Sequence, residues 1–156
     1  MNLRERDKAR FEELVRRRTL RAEPCRPEEI QGLLSSADSF IADSGRVENS
    51  IQTRFNVAYE AAHALSLAAL RLHDLRPGHG PGHRILVFAE LEATAGVPPE
   101  IRVPLEKANE KRNRLAYDGL TTFSASELDE LIGCVRRLRE IVTVAIATAR
   151  PDLLIR

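Results

Sequence analysis

Arg112 stands where a charged side chain is least expected. In the segment PLEKANEKRNRLAYDG, residues 104–119, a helical period of about 100° per residue brings Leu105, Ala108, Leu115 and Ala116 to one face, and Arg112 falls inside that apolar stripe. Lys111 and Arg114 point elsewhere, where solvated charges belong. A guanidinium keeps its charge at any ordinary pH, and burying it unpaired is costly, so Arg112 needs an anionic partner. Two chemistries meet that need. One is an ion pair within the chain, with a carboxylate such as Glu60 or Glu90, or a side chain that runs along the edge of the stripe to water. The other is an anion site, a planar fork of N–H donors aimed at a phosphate. Asn109 and Asn113 lie on the adjacent strip, with Tyr117 one turn beyond Asn113, so the four side chains would line a polar groove beside the core.

Other residue groups offer less. His73, His79 and His83 fall within eleven residues, but no cysteine or acidic cluster joins them and the spacing matches no standard metal site. A surface loop is the expectation there. The stretch RPGHGPG, residues 76–82, is rich in glycine, yet phosphate-cradling loops need a preceding strand or a Walker-type lysine, and it has neither. Arg16, Arg17 and Arg18 are either a phosphate-binding block or a solvated face whose charge suits a helix C-terminus; the second is expected. Cys25 and Cys134 are far apart without ligand spacing, which predicts two small buried thiols.

The elements that must position these residues are helices. Aromatics are few, tryptophan is absent, and no run alternates apolar and polar residues, so strand signals are nearly absent. Six helical segments are predicted. The first, 2–18, opens with a capping pair, Asn2 and Glu5, and carries few apolar residues, which makes it peripheral. The second, 27–42, starts at Pro27 and ends at Asp43-Ser44-Gly45. The third, 47–75, is the longest; Phe55, Ala58, Ala62, Leu65, Ala69 and Leu72 line one face, and further alanines widen it, so it should be central. The fourth spans 83–95, stopped by Gly96 and Pro98-Pro99. The fifth runs 104–117, before Gly119. The last is opened by Ser124 and Glu127 as a capping box and runs to Ala149, before Pro151. Short connections predict antiparallel neighbours: an all-α, up-and-down bundle of about five to six helices.

A chain of 156 residues with a formal charge of +1 suggests one domain, 1–156, with 1–25 peripheral and 26–150 forming the core bundle. The charge balance argues against a broadly basic nucleic-acid surface, though not against a local one. The N-terminus shows no charged start followed by an apolar run, and no stretch approaches the ~20 apolar residues of a membrane span, so a cytoplasmic protein without membrane contact is expected.

The segment around Arg112 resembles the motif of a known family. HEPN domains are bundles of four to five helices with a long central pair and a motif of arginine, often followed directly by asparagine, separated by four to six intervening residues from a histidine. Lys111-Arg112-Asn113-Arg114-Leu115-Ala116-Tyr117-Asp118-Gly119 is similar to that motif, near the end of a helix that precedes the last long one. Phe55-Asn56-Val57-Ala58-Tyr59-Glu60-Ala61 resembles the helix that faces it, and the likeness extends over residues 30–149. Many members are metal-independent endoribonucleases: the arginine contacts the scissile phosphate, the histidine helps proton transfer, and two protomers share a cleft. Arg112 matches. The place of the histidine is held by Tyr117, and no histidine follows His83. A phenol with a pKa near ~10 is a poor base at pH 7, where acid–base help is typically worth roughly 10²–10⁴-fold.

The resemblance therefore implies Arg112 and Tyr117 as the catalytic pair, if activity survives, and Arg112, Asn113 and Asn109 as phosphate-binding residues, with no metal and no cofactor. It implies a HEPN-like protein that binds RNA or a nucleotide phosphate in a bacterial toxin–antitoxin or defence system, weakly active or inactive as a ribonuclease. A nucleotidyltransferase antitoxin and a second copy of the chain are the implied partners. Two alternatives remain open: an active endoribonuclease toxin using Arg112 and Tyr117 across a dimer, and a helical dimerisation module in which Arg112 is merely paired.

Overall fold

The computed structural model describes residues 5–119 and 122–154; the expected pairing of Asn2 with Glu5 lies outside them. The described residues form seven α-helices, one short antiparallel ribbon and a terminal 3-10 turn: α1 (Glu5–Arg16), β1 (Leu20–Ala22), α2 (Pro27–Ser44), α3 (Ile51–Arg71), β2 (Leu75–Pro77), α4 (His83–Ala89), α5 (Leu91–Ala95), α6 (Pro99–Asp118), α7 (Ala125–Ala149) and the turn Pro151–Leu154. The predominantly all-α bundle read from periodicity is what the chain forms. No helix among the described residues is long and apolar enough to cross a membrane.

The bundle is organised around α3, which packs against α2, α4, α5, α6 and α7. Its sequence explains why one helix can serve so many neighbours. Ala58, Ala61, Ala62, Ala64, Ala68 and Ala69 are all buried, and side chains this small let several backbones approach at once, while Phe55, Leu65 and Leu70 fill the gaps between them. Truncating a leucine such as Leu65 would cost about 2–5 kcal/mol. The helix starts later than predicted because the Ser50 hydroxyl accepts the Thr53 N–H at 3.1 Å and caps it there. It ends earlier because Asp74 takes a left-handed conformation, φ 57°, and turns the chain into β2.

The ribbon was not expected. Leu20 pairs with Pro77, Arg21 with Arg76 and Ala22 with Leu75; strands this short leave no legible alternation. Gly78 completes it, donating its N–H to the Thr19 carbonyl at 2.8 Å. A Cβ at Gly78 would lie 2.0 Å from the Arg18 carbonyl oxygen, so only glycine fits.

Two further segments depart from the prediction. The segment 83–95 is two helices, broken at Glu90, whose buried carboxylate receives both Nε and Nη2 of Arg10 at 2.6 Å. That bridge ties α1 to the α4–α5 corner, where Phe11 also enters the core. The motif-bearing helix α6 begins at Pro99 rather than Pro104, which places Pro104 inside it. A proline there removes the N–H that would bond the Glu100 carbonyl. The Cys134 thiol of α7 approaches that carbonyl instead, at 3.9 Å, so the cysteine beside this turn is buried for a local reason. The last helix opens as expected: the Ser124 hydroxyl accepts the Glu127 N–H at 3.0 Å and the Glu127 carboxylate accepts the Ser124 N–H at 3.2 Å.

Candidate functional site

Helices α3, α4 and α6 meet along Tyr59. The ring is fully buried, edge-on to Phe88 at 5.8 Å, and its hydroxyl donates to Asn109 Oδ1 at 2.7 Å. Burial pushes the Tyr59 phenol up from its ordinary range, so it stays a neutral donor. Asn109 is buried too; its amide orients the tyrosine rather than lining the surface. Above this fixed ring sit two guanidiniums, Arg112 of α6 at 4.8 Å from the ring centre and Arg84 of α4 at 5.4 Å. Each such contact is worth about 0.5–1 kcal/mol at partly exposed sites.

Both arginines face one carboxylate. Arg84 Nη1 reaches Glu60 Oε1 and Oε2 at 3.1 and 3.3 Å. Arg112 Nη2 approaches the same Oε1 at 3.6 Å, beyond hydrogen-bond distance. Glu60 is thus the intramolecular partner that the buried-arginine argument required, while Glu90 is committed to Arg10. The pairing is incomplete, however. Two guanidiniums share one carboxylate, and Arg112 donates no hydrogen bond among the described residues. His63, one turn after Tyr59 and edge-on to Phe88 at 6.4 Å, adds no charge: burial first, then Arg84, push its imidazole down to about 4. The cluster carries a net charge of one positive unit at neutral pH.

Arg112 opens onto a groove of about 450 Å³ lined by Gln52, Asn56, Glu60, Arg112, Leu115 and Ala116. Gln52, Asn56 and Glu60 succeed one another every fourth residue of α3 and form one wall. Leu115 and Ala116 of α6 form the other. Asn113 is half-buried and is not among the residues that line it. Tyr117 is 90 % exposed and about 140° round the helix from Arg112, so one chain does not bring the two together. Sequence reasoning missed Arg84, His63, Gln52 and Asn56. The polar strip at every fourth position of an otherwise alanine-rich helix was a legible signal for the last two; nothing local announces Arg84.

The histidines near the ribbon do not converge. His73 is largely buried, its Nε2 2.6 Å from the Thr94 carbonyl and its ring against Phe11, and burial lowers its pKa. His79 and His83 are exposed. Among the described residues no group of three His, Cys, Asp or Glu side chains is placed to hold a metal ion. Cys25 and Cys134 are both buried and free, with burial pushing the Cys25 thiol up to about 11.

Compared with models of known families, with curated proteins and with solved structures, the chain matches none.

Proposed function

We propose that this chain is a HEPN-like protein that binds RNA or a nucleotide through its phosphate, in a bacterial toxin–antitoxin or defence setting, with weak or no ribonuclease activity. One observation carries the reading: the Arg112 guanidinium lies over the Tyr59 ring, faces an open groove, and donates no hydrogen bond among the described residues. A planar fork with free donors matches a phosphate bidentately, and its contact with the tyrosine ring limits the side-chain freedom it loses on binding. The surplus positive charge of the cluster favours an anion. Asn113, the next residue of the chain, belongs to the proposal as a further donor. The helix that resembles the one facing the family motif supplies Tyr59 and Glu60, the two residues that fix Arg112.

Weak or absent cleavage fits a motif whose histidine position is held by a phenol, a poor base at pH 7. Tyr117 points to solvent away from Arg112 within a chain, so it takes part only if a second copy presents it. A nucleotidyltransferase partner belongs to the same proposal.

The test is titration of fluorescent single-stranded RNA at low salt. Arg112→Ala is expected to lose about 10- to 100-fold in affinity, the worth of charge-assisted bonds to phosphate. Unchanged affinity, with only the melting temperature lowered, would favour the second reading, an interaction module in which Glu60 pairing is the whole role of Arg112. Metal-free incubation with a mixed RNA pool separates binding from cleavage: wild type is expected to be inert, and Tyr117→His to gain activity that Arg112→Ala removes. Cutting by wild type would overturn the inactive assignment.

A further inference from the structure

We propose that the groove beside Arg112 seats one nucleotide unit, with Gln52 and Asn56 contacting the edge of its base; this rests on the reading of Arg112 as the phosphate anchor. The groove has two unlike walls. On the α3 side, Gln52 and Asn56 present carboxamides that make no hydrogen bond among the described residues, and Glu60 continues the same strip. On the α6 side, Leu115 and Ala116 present an apolar surface. Arg112 joins the two walls and holds the free donors.

A bare phosphate uses only the arginine. An ordinary sugar phosphate uses the arginine and the polar wall but leaves the apolar wall wet. A nucleobase uses both, because it has apolar faces and an edge on which donors and acceptors stand side by side. A carboxamide carries one acceptor and two donors, and so complements such an edge in a bidentate way. Two carboxamides one helical turn apart offer that complement twice, with the Glu60 carboxylate as a further acceptor for an exocyclic amino group. The size agrees: small-ligand sites run roughly 300–1,000 Å³, and this groove holds about 450 Å³. It is open at the surface, which suits a unit that is still joined to a chain as well as a free one.

The inference separates from the phosphate reading by ligand. Isothermal titrations of the full chain are run with inorganic phosphate, ribose 5-phosphate, the four nucleoside 5′-monophosphates and a 5′-phosphorylated trinucleotide. Nucleotides are expected to bind more tightly than ribose 5-phosphate. The Gln52→Ala/Asn56→Ala double variant is expected to bind nucleotides on the order of 10- to 30-fold more weakly, the worth of two neutral contacts, with inorganic phosphate unchanged. Both residues lie at the surface, and an unchanged melting curve certifies the fold; the single Gln52→Ala variant, at the more exposed position, repeats the test with half the change. The trinucleotide against the monophosphates shows whether a chain end or a free nucleotide is the better occupant, and either supports the seat. Equal affinity for ribose 5-phosphate and nucleotides, or a double variant that binds nucleotides like wild type, overturns the inference while leaving Arg112 as a phosphate site. Loss of nothing on Arg112→Ala, inorganic phosphate included, overturns the underlying reading instead.

Discussion

Two arginines in this molecule face opposite demands. Arg71, at the end of α3, is 1 % exposed. Its Nη1 donates to the carbonyls of Glu23 and Leu75 at 2.8 and 3.1 Å, and its Nη2 to the Pro24 carbonyl and Glu29 Oε2, both at 3.0 Å. Arg112 is one-third exposed and donates no hydrogen bond among the described residues. Both depend on a glutamate. Glu29 is gripped from three sides: it accepts the Arg26 N–H at 2.9 Å, Arg71 and Arg76. Burial opposes its charge, but the Arg26 N–H and the Arg71 guanidinium prevail and hold its carboxyl at about 2. Glu60 holds Arg84 and leaves Arg112 outside hydrogen-bond range. The same side chain is therefore a fixed joint in one place and an available donor in the other, and what separates them is how many acceptors the chain itself brings.

The hub should be the costlier one to break. Arg71→Met leaves three carbonyls without their donor and Glu29 with one cation fewer. Removing one partner from a buried pair costs about 3–5 kcal/mol, which for a domain of this size lowers the melting temperature by roughly 10 °C. Calorimetry on the purified variant reads it. A loss below about 1 kcal/mol would mean that the joint is water-bridged in solution and that the contrast with Arg112 is one of degree.

Acid separates the two regions by pH. His63, beside Arg112, titrates near 4 when folded and near ~6.5 when unfolded. Between those values the unfolded chain binds the proton and the folded chain does not, so stability falls as pH is lowered from ~6.5 to ~4, by at most about 3 kcal/mol. His73, also lowered by burial, acts in the same direction. Glu29 works lower down: its carboxyl is depressed, so its contribution is whole above the ordinary carboxylate range and is lost as pH falls towards 2. Denaturant melts from pH 7 to 3 should show two limbs, and His63→Leu should flatten the upper one in part. An unaltered upper limb would show that His63 is solvated in the folded state.

Much of this arrangement was legible before the fold. The stripe Leu105, Ala108, Leu115 and Ala116 exposed Arg112 as an anomaly, and Glu60 was among the carboxylates named for it, because both conclusions need only helical period and charge. Arg71 gave no such sign. Its partners are carbonyls of residues 23, 24 and 75, and they converge only once the ribbon has formed. The ribbon was invisible for a related reason: three paired residues per strand carry no period. Proline misled at α6, where Pro104 suits a first turn but sits in the interior, with Cys134 of a different helix covering the exposed carbonyl. Tyr59 was noticed as part of a stretch, yet its work of carrying two arginines depends on α4, which no spacing within α3 foretells.

The smallest expected effect is the sharpest test of the comparison. Glu29→Gln and Glu60→Gln remove one negative charge each and keep the shape. At the hub, the neutral amide cannot satisfy Arg26, Arg71 and Arg76 together, so about 1–3 kcal/mol of stability should go. At the groove, a half-exposed pair with one hydrogen-bonded arginine is worth about 0–1 kcal/mol, so Glu60→Gln should melt almost like wild type. Its effect should appear in binding instead. With Glu60 neutral, the cluster gains a unit of positive charge within a few ångströms of the groove. Inorganic phosphate should then bind several-fold more tightly at low salt, and the gain should fade towards ~1 M salt, where the screening length falls to about 3 Å. Weaker phosphate binding by Glu60→Gln would instead make the carboxylate a positioning group that sets Arg84 and Arg112 in register, and the groove would then be as internally fixed as the hub.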